Sequence, residues 1–404
     1  MLGGAEGTDD KTKLSIAIGV IKHIIHKDNG PFILAVWTKH KELIGEIERR
    51  LKEEKYQPIV TDLQKYEFKD DKTGNYNYNF QKIEKRVKER LKNLSIFEIF
   101  ILWENIVHKS ASSVVNEFSR LVDFNNIWND GLKGIFYKLA EAWAGKTLNR
   151  NTSYEILKNA LFTFDGVFAD TLEKNIHEEP YNQMDFSSLQ SGVEEDVKGK
   201  INSRLILDKS GLDGLYPGNV YEIKNNDLLQ KIIYDSIYPE KLLKEFAYMK
   251  GVNLDVILDK NKKIKNKYKP EFKRFFKKIR DTIKDNSILV QTEVSPLCDF
   301  TQNKMKLSRI VKGFLCPIEV QINGTTIQTY KKLKSSAHFL YISPVIEHEE
   351  KLYRLVIDFR YFSANSIDEI NENTPIFRLR KDILIDIHTK LSSHINRPGV
   401  LFVE

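Results

Sequence analysis

The sequence predicts a three-part chain: an α/β unit over residues 1–70, an all-α domain over 80–177, and an α+β domain with a mainly antiparallel sheet over 200–404. Three observations carry this. Near the start, helix-like and strand-like patterns alternate around a continuous apolar run, Phe32-Ile-Leu-Ala-Val36. From Phe80 onward, apolar residues recur at helical spacing with little strand signal. Beyond residue 285, alternating strands and a hairpin signal at Asn323-Gly324 dominate. With 404 residues, 41% hydrophobic and 29% charged, the chain is long enough for two or three cores.

The elements follow in order. Leu14, Ile18, Ile21 and Ile25 predict a helix over 12–26, which Asn29-Gly30-Pro31 ends. The run 32–36 predicts a strand covered on both faces. Leu43, Ile47 and Leu51 put a second helix over 41–55, and Ile59, Val60 and Leu63 a second strand over 57–63. The polar stretches 70–79 and 178–200 read as linkers. Between them, stripes such as Phe80/Ile83/Val87/Leu91 and Ile156/Ala160/Phe164 predict four or five helices. Short strands are expected at 202–207 and 219–223, joined by a turn at Leu215-Tyr-Pro-Gly218, and mostly helix over 227–284. Strands at 287–294, 318–327, 339–345 and 352–362 build a curved sheet or small barrel, and a final helix covers 375–394.

Composition bounds the function classes. No run of 18 apolar residues suggests a membrane span, and Met1-Leu-Gly-Gly-Ala-Glu-Gly-Thr-Asp-Asp10 has neither the basic start nor the apolar core of a secretion signal. The two cysteines, Cys298 and Cys316, argue against a disulfide scaffold, so a cytoplasmic protein is expected. The net charge of +7 is unevenly spread. Residues 260–284 hold twelve Lys/Arg against Glu271 and Asp281, a window of +10 that leaves the rest of the chain at −3. Within it, Phe272, Phe275, Phe276, Ile279 and Ile283 form an apolar helix stripe. Lys273, Arg274, Lys277, Lys278 and Arg280 form the cationic remainder, a candidate nucleic-acid surface.

Thr38 and Lys39 follow the first strand directly, and Lys65 follows the second. Ligands of open α/β sheets bind beyond the carboxyl ends of strands, where a hydroxyl and ammonium groups suit a phosphoryl oxygen. Thr38 also suits the N-cap of the next helix. Farther on, Cys298 with His338 or His348 as base would make a hydrolase-like pair, although a buried structural cysteine accounts for it as well.

The segment Gly30-Pro-Phe-Ile-Leu-Ala-Val-Trp-Thr-Lys-His40, with a helix before it and a strand after, resembles the second half of a receiver domain of two-component signalling, a flavodoxin-like fold. More narrowly, it resembles the atypical response-receiver proteins of bacteria, which carry Trp-Ser/Thr-Lys-His after an apolar strand. Glu293-Val-Ser-Pro-Leu-Cys-Asp-Phe-Thr-Gln-Asn-Lys304, Asp358-Phe-Arg-Tyr-Phe362 and Ile395-Asn-Arg-Pro-Gly399 resemble the C-terminal region of the same group. The resemblance implies phosphate-site roles for Thr38 and Lys65. It implies a non-enzymatic signalling or regulatory protein acting with a histidine-kinase-like ATPase in a bacterial signalling or defence system. It also points to a C-terminal output or docking cluster of Cys298, Asp299, Gln302, Lys304, Asp358 and Arg360. The chain departs from the pattern at its start. A receiver's acidic pair and phosphoacceptor Asp belong to earlier strands, and Asp9 and Asp10 lie in a glycine-rich lead-in. The receiver half bearing those carboxylates is therefore expected upstream or on a partner, and Mg²⁺ is expected only where that half is supplied. Leaving about 400 Å² of apolar strand surface wet would forfeit roughly 10 kcal/mol, comparable to a domain's whole stability.

Overall fold

The computed structural model describes residues 10–27, 30–38, 42–64, 80–91, 95–124, 127–145, 148, 152–179, 195–210, 214–302, 304–322, 324–335, 337–371 and 373–396. The chain divides into two compact units, one of Met1–Leu121 with Val167–Phe186, the other of Val122–Gly166 with Ser187–Glu404. Among the described residues no helix is long and apolar enough to cross a membrane.

The first unit opens with α1 (Asp10–Ile24), β1 (Pro31–Thr38), α2 (Glu42–Glu53) and β2 (Gln57–Gln64), the order expected. Two strands joined by a helical crossover pair in parallel, and β1 and β2 do so in register from Pro31↔Gln57 to Thr38↔Gln64. Helix α2 ends where Lys55 takes a positive φ of 68°, which lets the Tyr56 N–H donate to Leu51 O at 3.0 Å. Leu14 and Ile18 of α1 pack with Ile47 and Leu51 of α2, and Leu34 and Val36 of β1 lie against this cluster. The expected two-sided cover of β1 is not reached: Phe32, Ile33, Leu34, Val36 and Trp37 are half-buried.

The helical span holds α3 (Phe80–Leu91), α4 (Ser95–Ser119), α5 (Trp128–Ala144) and α6 (Ser153–Glu178). It is shared between the two units, which part at Gly166/Val167 within α6. In the first unit, buried Asn175 of α6 donates Nδ2–H to Ser110 Oγ of α4 at 2.8 Å. Ser110 in turn donates to Ile106 O at 2.7 Å, so this polar pair is satisfied and fixes the register of the two helices. The linker expected at 70–79 lies outside the described residues.

The second unit is built on a curled seven-stranded antiparallel sheet. Its strands are β3 (Leu207–Asp208), β4 (Asn219–Glu222), β5 (Ile288–Glu293), β6 (Ser308–Pro317), β9 (Leu340–His348), β10 (Lys351–Asn365) and β11 (Pro375–Leu379), in the spatial order β3-β11-β4-β5-β6-β10-β9. The hairpin of β7 (Glu319–Ile322) and β8 (Thr325–Gln328) turns where Asn323-Gly324 predicts, with Gly324 at φ 75°. Helices cover both sheet faces. Leu289, Phe314, Cys316 and Val356 meet α8 (Asn226–Ser236), α9 (Leu243–Met249) and α11 (Lys269–Asp285). Val220, Val290, Val311, Leu315, Leu355, Ile357 and Phe377 meet α14 (Lys381–Ile395). This explains why β5 is buried at successive positions rather than along one alternating face.

Two expectations are corrected. Residues 202–206 close a helix, α7 (Glu195–Ile206), and only Leu207–Asp208 extend as strand. The helix prevails because it seats on the outermost strand. A Cβ on Gly199 would lie 2.5 Å from Leu352 Cδ2, Asn202 Nδ2 donates to Val345 O at 2.9 Å, and Glu347 N–H donates to Ser203 Oγ at 2.6 Å. Residues 375–379 are strand β11 rather than the first turns of the last helix. Pro375, Phe377 and Leu379 are buried while Ile376 and Arg378 are not, a period of two that pairing with β3 and β4 enforces.

Candidate functional site

The carboxyl ends of β1 and β2 lie side by side, with Thr38 opposite Gln64. The backbone thus places Thr38 at the strand end as expected. Its side chain, and Lys39 and Lys65, lie outside the described residues.

The better-defined site is a corner of the second unit, where β5 runs through Ser295-Pro296 into α12 (Leu297–Thr301) and the chain returns as β6. Glu293, the last residue of β5, is fully buried. Its two carboxylate oxygens each accept the Ser295 N–H at 3.1 Å, and Oε1 accepts the Ser308 hydroxyl at 3.2 Å. Burial pushes the Glu293 carboxyl up from its usual range, and the hydrogen bonds from Ser295 and Ser308 offset part of that rise. Beneath it, Asn219 Nδ2 donates to Gly214 O at 2.9 Å and to Tyr221 Oη at 3.3 Å. Burial raises the Tyr221 phenol as well. Asn219 Oδ1 and Thr292 Oγ1 are buried without a hydrogen-bond partner among the described residues. The corner is held by backbone contacts: Gly218 N–H donates to Glu293 O at 2.9 Å and Val294 N–H to Arg309 O at 2.7 Å.

Outside this acid lies a polar layer. Ser295 Oγ accepts the Arg309 N–H at 3.1 Å, and the Arg309 guanidinium reaches Asp299 at 3.5 Å. Cys298 is exposed, its Sγ 3.8 Å from Asp299 Oδ1. Gln302 Nε2 donates to Trp143 O at the end of α5 at 3.1 Å, and Lys304 Nζ donates to Gln302 Oε1. A recess of about 280 Å³ opens here, lined by Ser295, Asp299, Lys304, Lys306, Arg309 and Ala364 among others.

Cys298, Asp299, Gln302 and Lys304 of the expected C-terminal cluster therefore come together, while Asp358 and Arg360 stand elsewhere. The β6–β10 register shifts between Asp358 and Phe362, and the bulge is clamped by its own residues. Arg360 donates to both Asp358 oxygens, at 2.9 and 2.6 Å, pairs with Asp235 of α8 at 3.3 Å, and stacks 3.8 Å over Phe339. Asp299 takes Arg309 as its partner instead. Neither proposed base serves Cys298. His348 is buried against Tyr353 and Phe377, with burial lowering its pKa, and His338 is exposed in the turn before β9.

On α11 the phenylalanine–isoleucine stripe is buried and Lys273, Arg274, Lys277 and Lys278 are exposed, as expected. Arg280 leaves that face. It stacks 3.7 Å over Tyr234 and 4.3 Å over Phe276, and burial lowers its pKa. Its Nε and Nη1 are buried without a hydrogen-bond partner among the described residues.

Sequence reasoning missed Glu293, Ser295, Ser308 and Arg309 as site residues. The available signal was an acidic residue closing an otherwise uncharged strand, followed at once by Ser-Pro. Among the described residues no group of three or more His, Cys, Asp or Glu is placed to hold a metal ion. No protein-family model, curated protein or solved structure matches the chain.

Proposed function

We propose that the chain is a non-enzymatic signalling protein whose N-terminal α/β unit acts as the second half of a receiver-like domain. The observation that carries this is the β1–β2 pair: parallel, in register, each strand preceded by a helix, with Thr38 at the end of the first. Two features support it further. The apolar strand β1 is half-buried, and among the described residues it pairs with β2 alone. A partner that adds a strand at the free side of β1 covers that surface and brings the acidic residues of a phosphoryl site towards Thr38. By resemblance that partner is a receiver half or a histidine-kinase-like ATPase of a bacterial signalling or defence system. Mg²⁺ enters with the partner's carboxylates, and the second unit is the output or docking module.

Incubating the purified chain with acetyl phosphate and Mg²⁺ tests the reading. The chain alone is expected to stay unphosphorylated, because the reading assigns the phosphoacceptor to the partner. A stable aspartyl phosphate on this chain would refute it.

One observation favours a second reading, a nucleic-acid-binding component. Lys273, Arg274, Lys277 and Lys278 share the exposed side of α11, opposite its buried apolar stripe. Duplex DNA affinity that falls steeply with salt supports it, and affinity absent at low salt excludes it.

A further inference from the structure

We infer that the recess between α12 and the start of β6 binds the phosphate group of a small phosphomonoester. The inference stands apart from the signalling reading, since it concerns only the second unit. Three cations, Lys304, Lys306 and Arg309, line the recess, and among the described residues Asp299 is the one carboxylate that joins them there. Asp299 meets Arg309 through Nη2 at 3.5 Å, a long contact. Arg309 Nε and Nη1 and the Lys306 ammonium have no partner among the described residues. Mutual repulsion of three cations in one concavity is relieved by an anion carrying more charge than Asp299 supplies.

Ser295 forms the floor beneath that charge. It is 1% exposed and lines the recess. Its Oγ accepts the Arg309 N–H and its hydroxyl is hydrogen-bonded to the buried Glu293 carboxyl, so the floor is held rigid. A guanidinium fork at one wall and ammonium groups at the rim match the several acceptor oxygens of a phosphate. At about 280 Å³ the recess holds more than a bare phosphate, which favours an ester over the free ion.

Isothermal titration of the full chain at low ionic strength, with inorganic phosphate and with adenosine 5′-monophosphate as probes, tests this. Both are expected to bind at one site, the monophosphate more tightly. Arg309→Gln and Lys304→Gln are each expected to weaken binding at least about tenfold, the loss of one charge-assisted hydrogen bond. Lys277→Gln on α11 leaves binding unchanged. Should Arg309→Gln fail to fold, Lys304→Gln and Lys306→Gln, both at exposed positions, carry the test. No saturable binding, equal weakening by Lys277→Gln, or binding of phosphate with exclusion of the monophosphate would each overturn the assignment.

Discussion

Strands β1 and β5 begin from similar sequences and end in different environments. Phe32-Ile-Leu-Ala-Val36 is as continuously apolar as Ile288-Leu-Val290. From Leu289 onward β5 is buried between two neighbouring strands, with helices on both faces. β1 has one neighbour among the described residues and stays half-buried. Apolar continuity records what cover a strand can use, and the neighbours present decide how much it receives. The contrast places unspent hydrophobic surface in the first unit and a closed, self-sufficient core in the second.

The largest test of that contrast is Gly313→Val. A Cβ at Gly313 would lie 2.1 Å from Val356 O and 2.9 Å from Ile357 Cα, backbone atoms of the adjacent strand that cannot swing aside. A loss of about 4 kcal/mol or more is expected in chemical denaturation, with amide protection lost across β5, β6 and β10. An unchanged midpoint would break the picture of a sheet packed to its limit. Next comes Leu51→Ala, which removes a fully buried side chain from the small α1–α2 cluster. About 3 kcal/mol is expected, read as faster hydrogen exchange in β1, α2 and β2 while β5 and β6 keep their protection. Equal loss in both regions would merge what the comparison separates.

The smallest expected effect is a change of pH slope in Glu293→Gln. Burial raises the folded-state pKa of Glu293 above the ordinary 4.5. A raised acid contributes stability that is present below the unfolded value and lost as pH rises through the folded one. His348 and His388 act in the opposite sense. Burial lowers both from 6.5, so their contribution is present above that value and fades as pH falls below it. His388 Nε2 lies 2.8 Å from Val294 O, a carbonyl that only accepts, so this nitrogen carries the proton in the neutral ring. Removing the Glu293 carboxyl is expected to leave the histidine slope alone in melting temperatures measured from pH 4 to 8. It leaves the protein at least as stable at neutral pH. A falling limb above pH 4.5 that survives the substitution would assign it to another group.

Local signals were the legible ones. The Asn323-Gly324 hairpin, the α11 stripe and the alternation of α1, β1, α2 and β2 all follow from neighbours within a few residues. Residues 202–206 and 375–379 are short apolar runs that fit either period until a partner selects one. That partner is β9 for α7, and β3 and β4 for β11. The recess was half legible. Asp299 and Lys304 lie in one short sequence segment, but Ala364 arrives from β10 and Arg309 from β6, which only the folded sheet arranges. Helical spacing puts Arg280 with the exposed cations and does not reveal the neighbouring Tyr234.

Helix α7 has one more consequence. It spans from β9, where Asn202 and Ser203 engage Val345 and Glu347, to β11, where Arg380 N–H donates to Ile206 O at 2.8 Å. The outermost strand of a sheet is ordinarily a template on which other copies aggregate. Here β9 is guarded by side chains from the same chain, and the opposite border, β3, is two residues long. Strand addition by other copies is thereby disfavoured at both borders of the large sheet.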